Sequence, residues 1–283
     1  LIQQKNISKI SNKLFEASGR KGKRIPEAVI EKDYCLTWFL IGLSKSSLKD
    51  KLVFKGGTCL RRCYFKDYRF SEDLDFTMVE KISREELLSK IKDEIFPVIN
   101  KEIGLSFGIH KIEEDSQNTH QFYLSYNGPL VSTSSTKTVK VDVTFNEILV
   151  TKPMPKVILK SYDEYDDFEE VHEVLSYTVD EIVTEKICAL IDPKRSEPRD
   201  LYDIRHLFNE LEISRDFLPA YVIEKLKVKG VSFDERRNNL SGKEARIGKM
   251  WEQRLSQQVA VLPDFGDVFR EVQRNFRQCK ISD

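Results

Sequence analysis

Apolar positions recur at helical spacing over residues 1–18, where Ile7, Ile10, Leu14 and Phe15 share one side. They do so again over 26–48, where Ile30, Tyr34, Trp38 and Leu43 form the stripe and Pro26-Glu27 is a helix opening. The period then changes. Leu52-Val53-Phe54 is a short apolar run that meets Gly56-Gly57, which predicts a buried strand turning tightly into a helix over 58–64. Residues 73–77 alternate polar and apolar, the period of a strand. Ser83, with Glu85 and Glu86 behind it, is the expected N-cap of a helix over 84–101. Strands are expected over 104–112, 119–126 and 138–149, with a hairpin link near Asn127-Gly128-Pro129 and a polar surface loop over 132–138. A short strand over 174–179 follows. Beyond it the pattern is helical, over 181–192, 200–210, 215–228, 234–247, 249–261 and 266–279, punctuated by proline and glycine. A mixed α/β domain over 1–179, including the N-terminal helices, and a helical domain over 180–283 are therefore expected.

Composition narrows the classes. With 17 Phe and 10 Tyr in 283 residues the chain has the core material that disordered chains lack. Its 46 basic and 46 acidic residues cancel, so contact with nucleic acid would need a local patch. Arg20, Lys21, Lys23 and Arg24 with the run from Lys225 to Arg254 could form one, though acidic residues interrupt that run and solvated helices explain it nearly as well. Residues 161–185 hold ten acidic side chains and no Lys or Arg, which reads as a solvated loop before the last strand. Five cysteines without a paired CxxC suggest buried thiols in a reducing compartment rather than a zinc site. No apolar run reaches 18 residues, so a cytoplasmic protein without membrane association is expected.

Three features of the first half carry chemistry together. Gly56-Gly57-Thr58 lies where a strand ends, and two glycines let the backbone turn sharply and approach a ligand. Asp73 and Asp75 are two apart on a strand, so both carboxylates leave one face, about 6–7 Å apart at Cα, while Leu74 and Phe76 point into the core. Asp142 is a lone aspartate in an apolar strand, facing away from Val141 and Val143. Close carboxylates repel unless a cation or a proton lies between them. Three of them beside a phosphate-cradling turn suit Mg²⁺ (or Mn²⁺) and the transfer of a nucleotide from an NTP, with Asp142 as base or as the group orienting the acceptor. The bland alternative is a half-solvated strand with surface aspartates.

Lys55-Gly56-Gly57-Thr58, Arg69-Phe70-Ser71-Glu72-Asp73-Leu74-Asp75, Glu185-Lys186-Ile187 and Arg199-Asp200-Leu201-Tyr202-Asp203 together resemble the signature of the AbiEii/AbiGii family of nucleotidyltransferase-like toxins. Glu31-Lys32-Asp33-Tyr34 and Leu262-Pro263-Asp264-Phe265 look like its flanking elements. The resemblance implies a bilobed α/β fold, with a nucleotidyltransferase-like mixed β-sheet core and a C-terminal helical bundle. It implies that Asp73, Asp75 and Asp142 hold the metal, and that Lys186 and Asp200 complete the catalytic set. Lys55, Gly56, Gly57, Thr58, Arg69, Ser71 and Arg199 are then expected around the nucleotide, and Asp203 as a packing or capping residue. It further implies tRNA as acceptor, its 3′ end foremost, a toxin's role in blocking translation, and a cognate AbiEi-like antitoxin. Nucleotidylation of protein, NTP-dependent phosphotransfer and a non-catalytic nucleotide-binding module are the alternatives.

Overall fold

The computed structural model describes residues 1–20, 22–114, 118–131, 135–168 and 171–283. Lys21 of the basic segment, residues 132–134 of the expected loop, and Glu169 and Glu170 of the acidic stretch lie outside the described residues. The chain divides into two compact units. One comprises Leu1–Glu147 and Pro153–Tyr177, the other Ile148–Lys152 and Thr178–Asp283.

The first unit opens with helices α1 (Gln4–Ala17) and α2 (Glu27–Ser44), followed by strand β1 (Leu52–Lys55). The helical turn α3 (Gly56–Cys59) continues into a π turn (Leu60–Tyr64), and strand β2 (Leu74–Met78) follows. Next come α4 (Arg84–Lys90), a second π turn (Ile91–Ile95) and α5 (Phe96–Ile103). The remaining strands are β3 (Ser106–Ile112), β4 (Thr119–Asn127), β5 (Thr138–Thr144), β6 (Met154–Val157) and β7 (Glu173–Ser176). All seven form one mixed sheet in the order β3-β4-β5-β2-β1-β7-β6, with β2 parallel to β5 and antiparallel to β1.

Side-chain alternation gives the central strands two unlike faces. Leu74, Phe76, Phe122, Leu124, Val139, Val141 and Val143 are at most 1% exposed. Burying each large apolar side chain stabilises the fold by about 1.5–3 kcal/mol. Because the period is two, the same burial drives Asp75, Gln121, Lys140, Asp142 and Thr144 to the opposite face. Helix α2 is buried almost throughout from Ile30 to Leu43, packed against α1, α5 and β7. A Cβ on Gly42 would stand 2.8 Å from Ile95, so glycine sets the closeness of α2 to the second π turn.

Burial of α2 includes charge. Asp33 is 1% exposed and accepts hydrogen bonds from Arg61 Nε (2.6 Å), from Arg62, and from the Tyr165 hydroxyl (3.1 Å). Burial alone would raise its carboxyl, but the two guanidinium charges outweigh it and hold Asp33 below the usual carboxylate range. Glu31, fully buried, accepts from Leu130 N and Lys137 Nζ, both at 2.7 Å. These acids of α2 thus tie the turn after β1 and the connection between β4 and β5 to one helix.

Several elements depart from the expected bounds. Helix α2 stops at Ser44 rather than near 48, where the Ser44 and Ser46 hydroxyls bond back to carbonyls of the last turn. The helices expected over 58–64 and 84–101 are interrupted by π turns. Strand β5 ends at Thr144, not 149, because Asn146 turns the chain with φ +57°. Strand β6 lies outside the strands expected above, and its Pro155 is tolerated because the strand is the sheet's outermost. Strand β7 stops at Ser176 because Thr178 already caps the next helix through Glu181 N. The acidic stretch is not simply solvated: Glu164 is 7% exposed and pairs with Lys9 and Lys13, and Asp167 accepts from Tyr34.

The second unit holds α6 (Val179–Ile191), α7 (Pro198–Glu210), α8 (Leu218–Val228), α9 (Glu244–Leu255) and α10 (Phe265–Gln278). Residues 148–152 belong to it through Thr151, which donates from its backbone N to Glu181 Oε2 (2.8 Å). The helices expected over 234–247 and 249–261 are replaced by turns over 234–240, a short 3₁₀ turn (Ser241–Lys243) and α9. Asn238 and Asn239 bond Asp283 and the Ile191 carbonyl instead of continuing a helix. Lys243, 6% exposed, donates to the carbonyls of Leu190 (2.5 Å), Asp192 and Arg195 (2.7 Å), closing the end of α6. Burial pushes its ammonium down to about 8. The basic run is therefore no continuous groove: Lys225 and Lys243 are buried, and Arg236 and Arg237 pair with Asp192 and Asp283. All five cysteines are buried free thiols. No described helix is long and apolar enough to cross a membrane.

Candidate active site

The glycine turn is built by close approach. Gly56 sits at φ +78°, and a Cβ there would lie 2.5 Å from Asp75 Oδ2. At Gly57 a Cβ would meet the Arg69 guanidinium at 2.5 Å and Ser71 Oγ at 3.1 Å. Thr58 Oγ1 donates to the Asp73 carbonyl at 2.5 Å. The two motifs, 55–58 and 69–75, are thus one structure: each glycine is required by a side chain of the other segment. Arg69 and Ser71 are buried there, 3% and 8% exposed.

Register decides where the carboxylates go. Asp75 lies directly across from Lys55 on β1 and from Asp142 on β5, and Asp142 lies across from Gln121 on β4. In-register partners share a face, so Lys55, Asp75, Asp142 and Gln121 form one polar row. The row lines a cleft of about 310 Å³ whose wall also includes Thr119 and Thr144.

Asp73 stands one residue before β2, and Lys140 brings it into the same field. The Lys140 ammonium lies 2.6 Å from Asp142 Oδ2. Burial would lower its pKa, but Asp142 foremost, then Asp73 and Asp75, raise it. Gln121 Nε2 donates to the other Asp142 oxygen at 2.8 Å.

The donor set is oxygen throughout and draws a cation to itself, which fits a hard divalent metal such as Mg²⁺. Among the described residues no group of three His, Cys, Asp or Glu side chains is gathered tightly enough to hold an ion unaided. Magnesium, however, commonly takes one or two carboxylates plus substrate phosphates. Gln121 and Lys140 were missed in the sequence, although Lys140 shares the two-residue period of Asp142.

Glu147 is a second omission. Read as the tail of a long strand, it is instead folded back after Asn146. Its Oε2 accepts from Lys55 Nζ (2.6 Å), Thr144 Oγ1 (2.9 Å), Thr77 Oγ1 (3.1 Å) and the Tyr177 hydroxyl (3.4 Å). Lys55, expected at the nucleotide, lines the cleft while held by Glu147 and Thr144 (2.8 Å).

In the second unit Lys186 binds Asp200 Oδ1 (2.8 Å) and Asp203 Oδ2 (2.9 Å), both carboxylates being at most 1% exposed. Arg195 Nε holds the other Asp200 oxygen at 2.7 Å. Burial works against ionisation of Asp200, yet Lys186 and Arg195 keep its carboxyl below the usual range. Asp203 is therefore no cap but a second anchor of Lys186. Arg199 pairs with Glu197 at 3.0 Å.

Solved structures share this fold. MenT4, a nucleotidyltransferase toxin of Mycobacterium tuberculosis H37Rv, is 18% identical, with a TM-score of 0.63 over 96% of this chain and 90% of its own. A candidate nucleotidyltransferase from H. pylori is 19% identical, with a TM-score of 0.58 over 90% of this chain and 95% of its own. JHP933 from Helicobacter pylori is 19% identical, with a TM-score of 0.55 over 89% and 91%. No curated protein matches the chain in sequence. The family described as nucleotidyl transferase AbiEii toxin, type IV TA system, matches residues 38–277. The chain belongs to that family and is a nucleotidyltransferase of the AbiEii toxin type.

Proposed function

We propose that this enzyme transfers a nucleoside monophosphate from an NTP to the 3′ end of tRNA, thereby blocking translation. The observation that carries the reading is the polar row Lys55–Asp75–Asp142–Gln121, in register beside the glycine turn. In the reaction an acceptor hydroxyl oxygen attacks the α-phosphorus, the bond to the β-phosphate breaks and pyrophosphate leaves. The hydroxyl proton passes to Asp142, whose carboxylate Gln121 orients. Asp73, Asp75 and Asp142 would hold a divalent metal, which supplies charge neutralisation at the phosphates and lowers the acceptor's pKa. Glycine at 56 and 57 lets Asp75, Arg69 and Ser71 close onto the turn, whose backbone would cradle the phosphates. Lys186, fixed by Asp200 and Asp203, is a further catalytic candidate, an ammonium whose charge suits phosphate oxygens. As a type IV system member the chain is paired with an antitoxin, which we infer to be AbiEi-like.

The test is incubation with each labelled NTP, Mg²⁺ and total tRNA, beside Asp73→Ala and Asp142→Asn. Label in tRNA that both variants lose supports the reading. Label confined to protein replaces tRNA by a protein acceptor. Equal labelling by wild type and variants removes the carboxylates from the mechanism.

A further inference from the structure

We propose that Lys140 is a built-in counter-ion of the carboxylate row, which an arriving divalent metal displaces and which then turns to the phosphates that accompany it. The inference rests on the metal-dependent reading above and adds a residue to it. Lys140 precedes Asp142 by two residues on β5 and so stands on the same face. Its side chain is 32% exposed, enough to extend into solvent, yet its ammonium is seated 2.6 Å from Asp142 Oδ2. By register it falls opposite Tyr123 on β4, and on the other side it falls one step before the Leu74–Val141 pair, at the level of Asp73. The Lys140 ammonium thus lies in the field of all three candidate metal ligands, while Lys55, the other cation of the row, is held by Glu147.

Both oxygens of Asp142 are taken by protein donors, Gln121 on one and Lys140 on the other. The two donors respond differently to a metal. Gln121 is neutral, and its carbonyl end could itself face a cation. Lys140 carries a charge of the metal's own sign, and an ammonium a few ångströms from a dication is repelled. Metal and Lys140 therefore compete for Asp142. A half-exposed lysine stem reorients at little cost, and the nucleotide's phosphate chain brings the matching negative charge to the same face.

The experiment compares wild type, Lys140→Met, Lys140→Arg and Asp142→Asn by titration with Mn²⁺, reading free Mn²⁺ by electron paramagnetic resonance. Inorganic triphosphate is then titrated at fixed Mn²⁺. Lys140→Met keeps the apolar stem and is expected to bind Mn²⁺ about three- to tenfold more tightly, the order set by removing one charge near a dication in a wet cleft. It is expected to bind triphosphate more weakly by a similar factor, and Lys140→Arg is expected to track wild type in both. A merely structural lysine would not move the two affinities in opposite directions. Mn²⁺ binding equal in wild type and Lys140→Met, but lost in Asp142→Asn, overturns the role of Lys140 and leaves the metal reading standing. Unchanged triphosphate binding overturns the second half. Absence of Mn²⁺ binding in wild type overturns the metal reading and this inference together.

Discussion

Replacing Gly56 by alanine tests whether the glycine turn positions Asp75, the carboxylate proposed to act in catalysis. Two costs follow from the structure. The first is conformational: φ +78° is left-handed, and a Cβ there costs about 1–2 kcal/mol. The second is local: the new methyl would stand 2.5 Å from Asp75 Oδ2, whereas ordinary contact begins at 3.4 Å, so the carboxylate must retreat by about 0.9 Å. A displacement of about 1 Å in a reacting constellation can lower the rate about 100-fold. Gly104 is the internal control. It closes α5 at φ +69°, and a Cβ on it meets nothing within 4 Å, so Gly104→Ala bears the backbone cost without the clash. Urea unfolding should show Gly104→Ala weakened by about 1–2 kcal/mol and Gly56→Ala by at least as much. Nucleotide transfer to the proposed tRNA acceptor should fall about 100-fold in Gly56→Ala and stay near wild type in Gly104→Ala. If the two variants transfer at equal rates, the contact between Gly56 and Asp75 has no bearing on catalysis and the reasoning fails.

Asp33→Asn should destabilise the chain by about 3–5 kcal/mol in urea unfolding, because it leaves Arg61 and Arg62 buried without their carboxylate. Its pH signature is specific. The unfolded chain takes up the Asp33 proton near pH 4, about its ordinary value, and the folded chain only at lower pH, so stability falls as pH drops through that window. Wild type should therefore lose stability more steeply than Asp33→Asn between about pH 5 and 2; parallel curves would contradict the depressed carboxyl. Lys243→Met should lower stability by about 1–3 kcal/mol by stripping donors from the carbonyls of Leu190, Asp192 and Arg195, read by thermal unfolding. A neutral effect would mean that water replaces the ammonium at the end of α6.

Local pattern carried far in this chain. The two-residue period of 73–77 and 138–144 already separated Asp75 and Asp142 from the apolar positions, since one residue's shift would bury charge and expose Val and Phe. The Gly56-Gly57 turn, the cap at Ser83 and the stops at proline and glycine are likewise matters of near neighbours. What short range could not reveal is pairing. That β2 runs parallel to β5, bringing Asp75 level with Asp142, depends on strand order in the sheet, which no window of sequence contains.

The side chains that complete the site were hidden for the same reason. Glu147 was indistinguishable from the end of a strand until Asn146 turned it back onto Lys55, Thr77 and Tyr177. Asp203 looked like a helix-opening acid until it was seen to share Lys186 with Asp200. Lys225 and Lys243, in the run that solvated helices explained nearly as well, are drawn to oxygen atoms more than 35 residues away. Sequence by itself determined which residues face the core, because hydrophobic burial acts position by position. Tertiary structure decided which charges meet, because an ion pair depends on distances through space that chain connectivity leaves open.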